Sequence, residues 1–343
     1  MAFLATQAPK VDDSNAYVGI KGIEDAFAAA KQQSQAALIP YICGGFDNPA
    51  KTVRILLAMQ KGGADIIELG VPCHDPFADG ATIKGSHNVA IANGTAGLRD
   101  CLSILKTARS KGLKVPVILM GYYSSLVDEY SHDVDKMCRD SATSGANGFL
   151  AVGIERGKQE LEFSSICYKH NLSSIQLVMP DSTDQRIAEL AAMASSFLYV
   201  VSVRGKTGAR DALPPGLDDA VAKVRAKCDL PLVVGFGISN PEMVNGVSNL
   251  SDGAVVGSYL TDCLNIKNGV HEQSDEDVIY EKVAYLHTGS NQDAGARNQA
   301  SKLSRVPLVV EDEKMAKSMI ARYMFRKAVN MVKATQAFGQ LFD

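Results

Sequence analysis

Short apolar runs recur along the chain and alternate with stretches in which apolar residues have helical spacing. Eight of these runs have the length and composition of strands: 37–43, 64–70, 116–122, 148–153, 173–179, 197–203, 231–236 and 253–257. Continuous apolar strands that alternate with helices are typical of a parallel sheet whose two faces are both covered. Because eight such units span roughly 220 residues, the pattern favours an α/β fold of the (β/α)8 TIM-barrel type over an open, doubly wound sheet.

The helical stretches and the two ends of the chain complete the predicted domain organisation. Helices are expected between the strands at 49–61, 98–111, 135–144, 158–170, 184–194 and 217–227. The barrel is assigned to residues 20–264, after an N-terminal tail at 1–19, and an extra helix at 20–33 is expected to close its bottom. Residues 265–307 are polar, which predicts a partly disordered insertion that the barrel does not need, with a helix near 274–287. Residues 308–343 are expected to form a C-terminal helix that packs on the barrel.

Composition and charge then narrow the class of protein. Hydrophobic residues make up 46% of the chain and charged residues 21%, values that are ordinary for a globular protein. The net charge of −3 gives no electrostatic reason to expect a nucleic acid or membrane partner. No apolar run is long enough for a membrane span, and the first residues lack the pattern of a secretory signal. We therefore expect a cytoplasmic protein, and the plastid stays open as a compartment if the source is eukaryotic.

One carboxylate stands at the end of a buried strand, where it is costly unless it has a function. Glu68 stands near the end of the second apolar run, and the alternation of strand residues predicts that it points into the barrel together with Ile66. Asp79 follows on a loop stiffened by two prolines, which can bring it to the same mouth. Two carboxylates in different surroundings can divide the work, one exchanging protons and the other stabilising a developing positive charge.

A second group of residues predicts a phosphate site. The seventh strand ends in GFGIS, which contains Gly235 and Gly237, and the eighth ends in Gly257 and Ser258. Loops after strands seven and eight, together with a helix N-terminus, commonly bind phosphate in barrels. We expect Ser239 and Glu242 to form a capping box at that helix, and the loop 204–210 after the sixth strand to act as a lid.

Several absences limit the chemistry further. The seven cysteines are scattered and the six histidines do not cluster with them, so no metal site is predicted. No lysine lies within a predicted strand, which argues against a Schiff-base aldolase. No GxGxxG follows a strand, so no dinucleotide is indicated. What remains is cofactor-free acid–base chemistry on a small phosphorylated molecule.

These motifs resemble those of the tryptophan synthase α chain family. ELGVPCHDPFADG is close to the family signature ELGxPxSDPxADGPxI, and GGADIIELG, LYVVSVRGKTGAR, VGFGISNPE and VVGS fit in order and spacing, so that the resemblance covers roughly residues 37–264. It implies a TIM barrel that cleaves indole-3-glycerol phosphate to indole and glyceraldehyde 3-phosphate without a cofactor. It also implies a role in tryptophan biosynthesis.

The resemblance assigns roles to individual residues. Glu68 would protonate the indole ring carbon, and Asp79 would bind the indole N–H and balance its positive charge. Tyr41 would form an aromatic wall of the indole pocket, Tyr199 would be a substrate-binding tyrosine near Glu68, and Thr207 would bond to Asp79 when the lid closes. The phosphate-binding positions implied are Gly208, Gly235, Gly237, Gly257 and Ser258.

The chain departs from the family pattern at several places around the mouth. His74 replaces a serine, Ala81 replaces a proline, and the loops at 121–126 and 152–159 differ from the usual ones. The resemblance implies a pyridoxal-phosphate-dependent β chain that docks on these loops, and the changes favour a partner adapted to this chain. Three alternatives stay open at this point: a free-standing lyase, a different phosphate-binding barrel enzyme, and a barrel that has become a regulatory or binding partner.

Overall fold

The fold is that of a parallel barrel surrounded by helices. The computed structural model describes residues 19–202, 208–209, 212–235, 237–265 and 273–292. The nine strands in these residues are β1 (Ala37–Cys43), β2 (Ile67–Gly70), β3 (Val117–Tyr122), β4 (Gly148–Val152), β5 (Ser173–Ser174), β6 (Gln176–Val178), β7 (Leu198–Val201), β8 (Leu232–Gly235) and β9 (Gly253–Val256). They fall within the eight predicted runs, which confirms the predicted fold class.

The ninth strand arises because the fifth predicted run is interrupted at Ile175. Its first segment, β5, pairs with β4, and its second segment, β6, pairs with β7. The hydrogen-bonded order therefore runs β5-β4-β3-β2-β1-β9-β8-β7-β6, and every pairing is parallel. Since β5 and β6 are consecutive segments of one strand, the two ends of this order meet and the sheet closes into a barrel.

Alternate strand residues separate the core into an inner and an outer layer. Ile66 belongs to the inner apolar cluster, with Ile39, Ile118 and Val233, whereas Ile67 packs in the outer cluster beneath the helices. This confirms the predicted alternation along the second strand. It also requires the next inward position, two residues after Ile66, to be Glu68.

Twelve helices lie in the described residues, and most begin within one residue of the predicted position. They are α1 (Gly19–Gln32), α2 (Pro49–Lys61), α3 (Ala81–Ala92), α4 (Leu98–Ser110), α5 (Tyr123–Asp128), α6 (Val134–Thr143), α7 (Lys158–Lys169), α8 (Asp184–Met193), α9 (Leu217–Arg225), α10 (Pro241–Ser248), α11 (Ser258–Asn265) and α12 (Asp275–His287). Helices α3, α5 and α11 were not predicted from the sequence. Two of them matter for function, because α3 follows Asp79 directly and α11 begins at Ser258.

Helix α1 closes the bottom of the barrel, as predicted. Its buried face contributes Ile23, Phe27 and Ala30 to the inner apolar cluster. The Phe27 ring meets that of Phe197 edge to face, with centroids 5.5 Å apart. Because this plug fills the bottom, a small molecule has to enter from the opposite end, where the strands end.

Helix α12 corrects the predicted boundary at residue 264. A helix near 274–287 was expected, but within a segment that the barrel could lose. Instead α12 packs against α2, α10 and α11, and it buries Val278, Ile279, Val283 and Leu286. Gly62, at the end of α2, allows this close approach, because a Cβ there would lie 2.9 Å from the Val283 Cβ. Apolar burial of this kind stabilises the barrel. Beyond α12, Asn291 forms a β-bridge with Gln35, so the chain stays in contact with the barrel to that point. The tail at 1–18 and the predicted C-terminal helix at 308–343 lie outside the described residues.

Candidate active site

Glu68 lies at the mouth of the barrel, beside Tyr41 of the neighbouring strand. The two residues are register partners across β1 and β2, and both are buried, with 5% of each surface exposed. Burial, and to a lesser extent the charge of Asp79, raises the pKa of Glu68 to about 8. A carboxyl group with this pKa holds its proton at neutral pH and can deliver it to a bound molecule.

Asp79 reaches the same mouth because Tyr122 holds the end of its loop. The Tyr122 hydroxyl, at the end of β3, donates to Asp79 Oδ2 at 2.7 Å and accepts from the Ala78 N–H at 3.1 Å. The Asp79 N–H in turn donates to the Pro76 carbonyl at 3.0 Å. The carboxylate is 2% exposed, so its position is set by these contacts rather than by solvent. The loop therefore presents a fixed hydrogen-bond acceptor a short way from the end of β2.

A cavity of about 390 Å³ opens at this mouth, a size that suits a small ligand. Seven of the residues singled out from the sequence line it: Tyr41, Glu68, Asp79, Tyr199, Gly237, Gly257 and Ser258. Apolar side chains from β3, β4 and β6, among them Met120, Leu150 and Leu177, form much of the remaining wall. The cavity is thus apolar in the middle, with carboxylates on one side and glycine-rich strand ends on another.

The glycine-rich side has the features of an anion site. Gly237 has a φ of +90°, a conformation that favours glycine, and Ser258 is the first residue of α11. The positive end of a helix dipole therefore lies next to Gly257 at the cavity wall. The predicted capping box at the preceding helix is wrong, because α10 is capped by Asn240, whose Oδ1 accepts from the Met243 N–H at 2.8 Å.

Two glycines leave the space that the tyrosine side chains of the pocket occupy. A Cβ on Gly235 would lie 1.7 Å from the Tyr199 hydroxyl oxygen, and one on Gly70 would lie 2.3 Å from that of Tyr41. Gly235 does not line the cavity, so its visible role is to make room for Tyr199 rather than to contact a ligand. Gly208 does not line the cavity either, and Thr207 lies outside the described residues.

Both tyrosine hydroxyls stay protonated at neutral pH. Burial is the largest cause that raises the pKa of Tyr41 and of Tyr199, and the charges of Asp79 and Glu68 add to it. The two side chains can therefore donate hydrogen bonds but cannot act as bases. Among the described residues, no group of His, Cys, Asp and Glu side chains is arranged to hold a metal ion. The arrangement suits proton transfer by Glu68 to a molecule whose anionic end reaches Gly237 and Ser258.

Comparison with known proteins agrees with this geometry. The family model of the tryptophan synthase alpha chain matches residues 27–289. The chain belongs to the tryptophan synthase alpha chain family. The matched range includes α12, which agrees with the corrected boundary of the barrel.

The sequences of relatives within the family align with most of the barrel. The tryptophan synthase alpha chain of Chloroflexus aggregans is 38% identical over 242 residues, which are 71% of this chain and 89% of the relative. Tryptophan synthase of Saccharomyces cerevisiae is 40% identical over 239 residues, which are 69% of this chain but only 33% of the longer yeast protein.

Solved structures of the family share the fold. The alpha subunit from Legionella pneumophila superposes with a TM-score of 0.70 at 28% identity, and the match covers 78% of this chain and 97% of that one. A tryptophan synthase structure from Mycobacterium tuberculosis gives the same TM-score and identity, with coverage of 78% and 98%. No helix in the described part of this chain has the length and apolar character needed to cross a membrane.

Three residues of the site were missed in the sequence. Tyr122 is the residue that fixes Asp79, and Phe77 covers its ring edge to face, with centroids 4.8 Å apart. His87 is fully buried on α3 behind the pocket wall. Tyr122 ends an apolar run in the same way as Glu68, so the rule that found Glu68 could also have found it. No local signal marks His87, because its partners are distant in sequence.

Proposed function

We propose that this chain cleaves indole-3-glycerol phosphate to indole and glyceraldehyde 3-phosphate, with Glu68 as the proton-transfer group and Asp79 as the stabiliser of charge. The observation that carries the proposal is that the buried carboxyl group of Glu68 faces the same cavity as Asp79. Another part of the cavity wall, at Gly237, Gly257 and Ser258, offers a helix N-terminus and glycine backbone for the phosphate. Membership in the alpha chain family supports the same reaction.

The steps follow from the protonation states. Glu68, with a pKa of about 8, gives its proton to the ring carbon that carries the glycerol phosphate chain. The ring nitrogen then bears a positive charge, which the Asp79 carboxylate stabilises through a hydrogen bond to the N–H. The Glu68 carboxylate next takes the proton of the substrate hydroxyl group on the chain carbon that is attached to the ring. As that C–O becomes a carbonyl, the C–C bond breaks and its electrons return to the ring, which leaves as neutral indole.

The first test is release of indole from indole-3-glycerol phosphate by the purified chain, compared with the variant Gly237→Asp. The variant should raise KM by roughly 10-fold or more, because a carboxylate beside Ser258 repels the phosphate and a side chain strains the positive φ. Glycerol phosphate should compete with the substrate in the native chain and lose this effect in the variant. An unchanged KM would place the phosphate elsewhere, and no indole from the native chain would remove the proposed reaction.

The β chain of tryptophan synthase remains the proposed partner. Phe77 and Met179 line the cavity and are 54% and 40% exposed, so the mouth has an apolar rim that a docked protein would cover. Arg156, on the loop after β4, and Lys158, the first residue of α7, are exposed and change the charge of this rim relative to the family pattern. We expect weak binding to a β chain from an unrelated source, because complementary potentials are lost. Co-elution with strong activation of lyase activity would show that these charges do not matter.

A further inference from the structure

His87 is a buried polar residue that the reaction itself does not use. It lies on α3, the helix that begins two residues after Asp79, and it is fully buried. It is not among the residues that line the cavity. A buried imidazole is costly unless both of its nitrogens have partners, so its contacts should explain why it is there.

Both nitrogens of His87 are engaged, which determines the tautomer. Nδ1 lies 3.1 Å from the backbone nitrogen of Cys73, whose N–H donates to it. Nδ1 must therefore be unprotonated, so the proton of the neutral ring is on Nε2, which lies 3.4 Å from the Tyr41 hydroxyl. Burial lowers the pKa of His87 to about 4, so this neutral form is the one present at pH 7.

These two bonds join three parts of the active site. Cys73 lies near the start of the loop that carries Asp79, Tyr41 stands in the pocket wall beside Glu68, and α3 is the helix that follows the loop. The far end of the same loop is held by Tyr122 through Ala78 and Asp79. The loop is thus anchored at both ends, by His87 at Cys73 and by Tyr122 at Asp79.

We propose that His87 is a positioning residue of this active site, which uses one ring nitrogen to anchor the loop of Asp79 at Cys73 and the other to orient the Tyr41 hydroxyl in the pocket wall. The inference rests on the proposed function, because the consequence is measured in the lyase reaction. The Cys73 bond controls where Asp79 stands and therefore acts on kcat. The Tyr41 bond controls the shape and polarity of the pocket and therefore acts on KM.

Three substitutions separate the two bonds. His87→Asn places an amide oxygen near the position of Nδ1 and keeps the Cys73 bond, whereas His87→Gln places an amide N–H near Nε2 and keeps the Tyr41 bond. His87→Leu removes both. We expect His87→Leu to lower kcat/KM by roughly 10- to 100-fold, because displacement of a catalytic group by about 1 Å is that costly. His87→Asn should restore kcat to within roughly threefold of the native value while KM stays raised, and His87→Gln should restore KM while kcat stays low.

A matched control comes from the neighbouring position. Ser86 is also fully buried on α3, and its hydroxyl donates to the Ile83 carbonyl of the same helix. Ser86→Ala should leave kcat and KM within roughly twofold of the native values, since no contact to the loop is lost. All rates are measured well below the melting temperature and divided by the folded fraction from circular dichroism. If His87→Leu does not fold, His87→Asn and His87→Gln carry the test.

Specific results would overturn the proposal. Native kcat and KM in His87→Leu would show that neither bond matters, and equal losses in all three variants would show a role in packing alone. A second measurement does not depend on activity, so it separates this proposal from a failure of the proposed function. The ¹⁵N spectrum of native protein at pH 7 should show His87 as the neutral Nε2–H tautomer, and an Nδ1–H or a doubly protonated ring would contradict the network.

Discussion

Glu68→Gln should lower turnover by roughly 10²–10⁴-fold and at the same time make the protein more stable. The loss of activity follows because an amide cannot give its proton to the ring carbon or take one from the hydroxyl. The gain in stability follows because the folded protein must keep a proton on Glu68 at a pH where the unfolded chain releases it, since burial raises the pKa to about 8. Kinetics with indole-3-glycerol phosphate and thermal unfolding monitored by circular dichroism measure both effects.

The gain in stability has a definite pH dependence. Because the folded protein holds the Glu68 proton more tightly than the unfolded chain does, the native protein loses stability as the pH rises from the unfolded pKa of roughly 4.3 to about 8. The variant lacks this loss. The difference in unfolding free energy should therefore be small at pH 4 and reach on the order of 5 kcal/mol near pH 8. A difference that does not change with pH would show that Glu68 titrates normally.

Asp65 provides a control that separates the gain in stability from the loss of turnover expected for Glu68→Gln. It lies at the opposite end of the barrel and accepts a hydrogen bond from the Leu38 N–H at 2.8 Å. Burial raises its pKa to about 7. Asp65→Asn should also stabilise the protein above pH 7, because the amide oxygen can still accept this bond, but turnover should stay within roughly threefold. If Asp65→Asn were as inactive as Glu68→Gln, the loss of turnover could not be assigned to proton transfer.

Asp79→Asn should reduce turnover by roughly 10²–10³-fold with little change in folding. The amide oxygen can still accept the Tyr122 hydrogen bond, so the loop is expected to keep its position. The neutral amide, however, cannot balance the positive charge that forms on the ring nitrogen. The main effect should therefore appear in kcat, because the charge exists in the transition state and not in the bound substrate.

Two further variants show whether the charge or its placement matters. Tyr122→Phe keeps the Asp79 carboxylate but removes the hydroxyl that holds it, so a smaller loss of roughly 10-fold is expected. Asp75→Asn removes an exposed carboxylate from the same loop and should have little effect. Near-native turnover in Asp79→Asn, or equal losses in Asp79→Asn and Asp75→Asn, would remove Asp79 from the reaction.

Much of the fold was accessible from the sequence because its signals are local. Alternation of residues along the second strand predicts that Glu68 follows Ile66 into the barrel, and the structure places both as expected. The extra helix at the bottom was also recognised, since its apolar spacing needs no knowledge of its partners. The wrong capping box shows where local signals compete, because Ser239 and Asn240 are both good caps and the backbone used Asn240.

The role of residues 274–292 could not be read in the same way. Their mean composition is polar, yet α12 buries four apolar side chains and packs against α2. Whether such a face is buried depends on the position of another helix more than two hundred residues earlier in the chain. Composition alone therefore misplaced the boundary of the barrel.

The sequence by itself determined the barrel, the inward direction of Glu68 and the candidate acid–base and phosphate residues, because strand periodicity and strand-end motifs are properties of neighbouring residues. Only the tertiary structure decided how these groups are held. Tyr122 meets Asp79 across 43 positions, and His87 meets Tyr41 across 46. Such contacts depend on strand register and on the path of the loop, which are set by packing over the whole barrel rather than by the residues next to each partner.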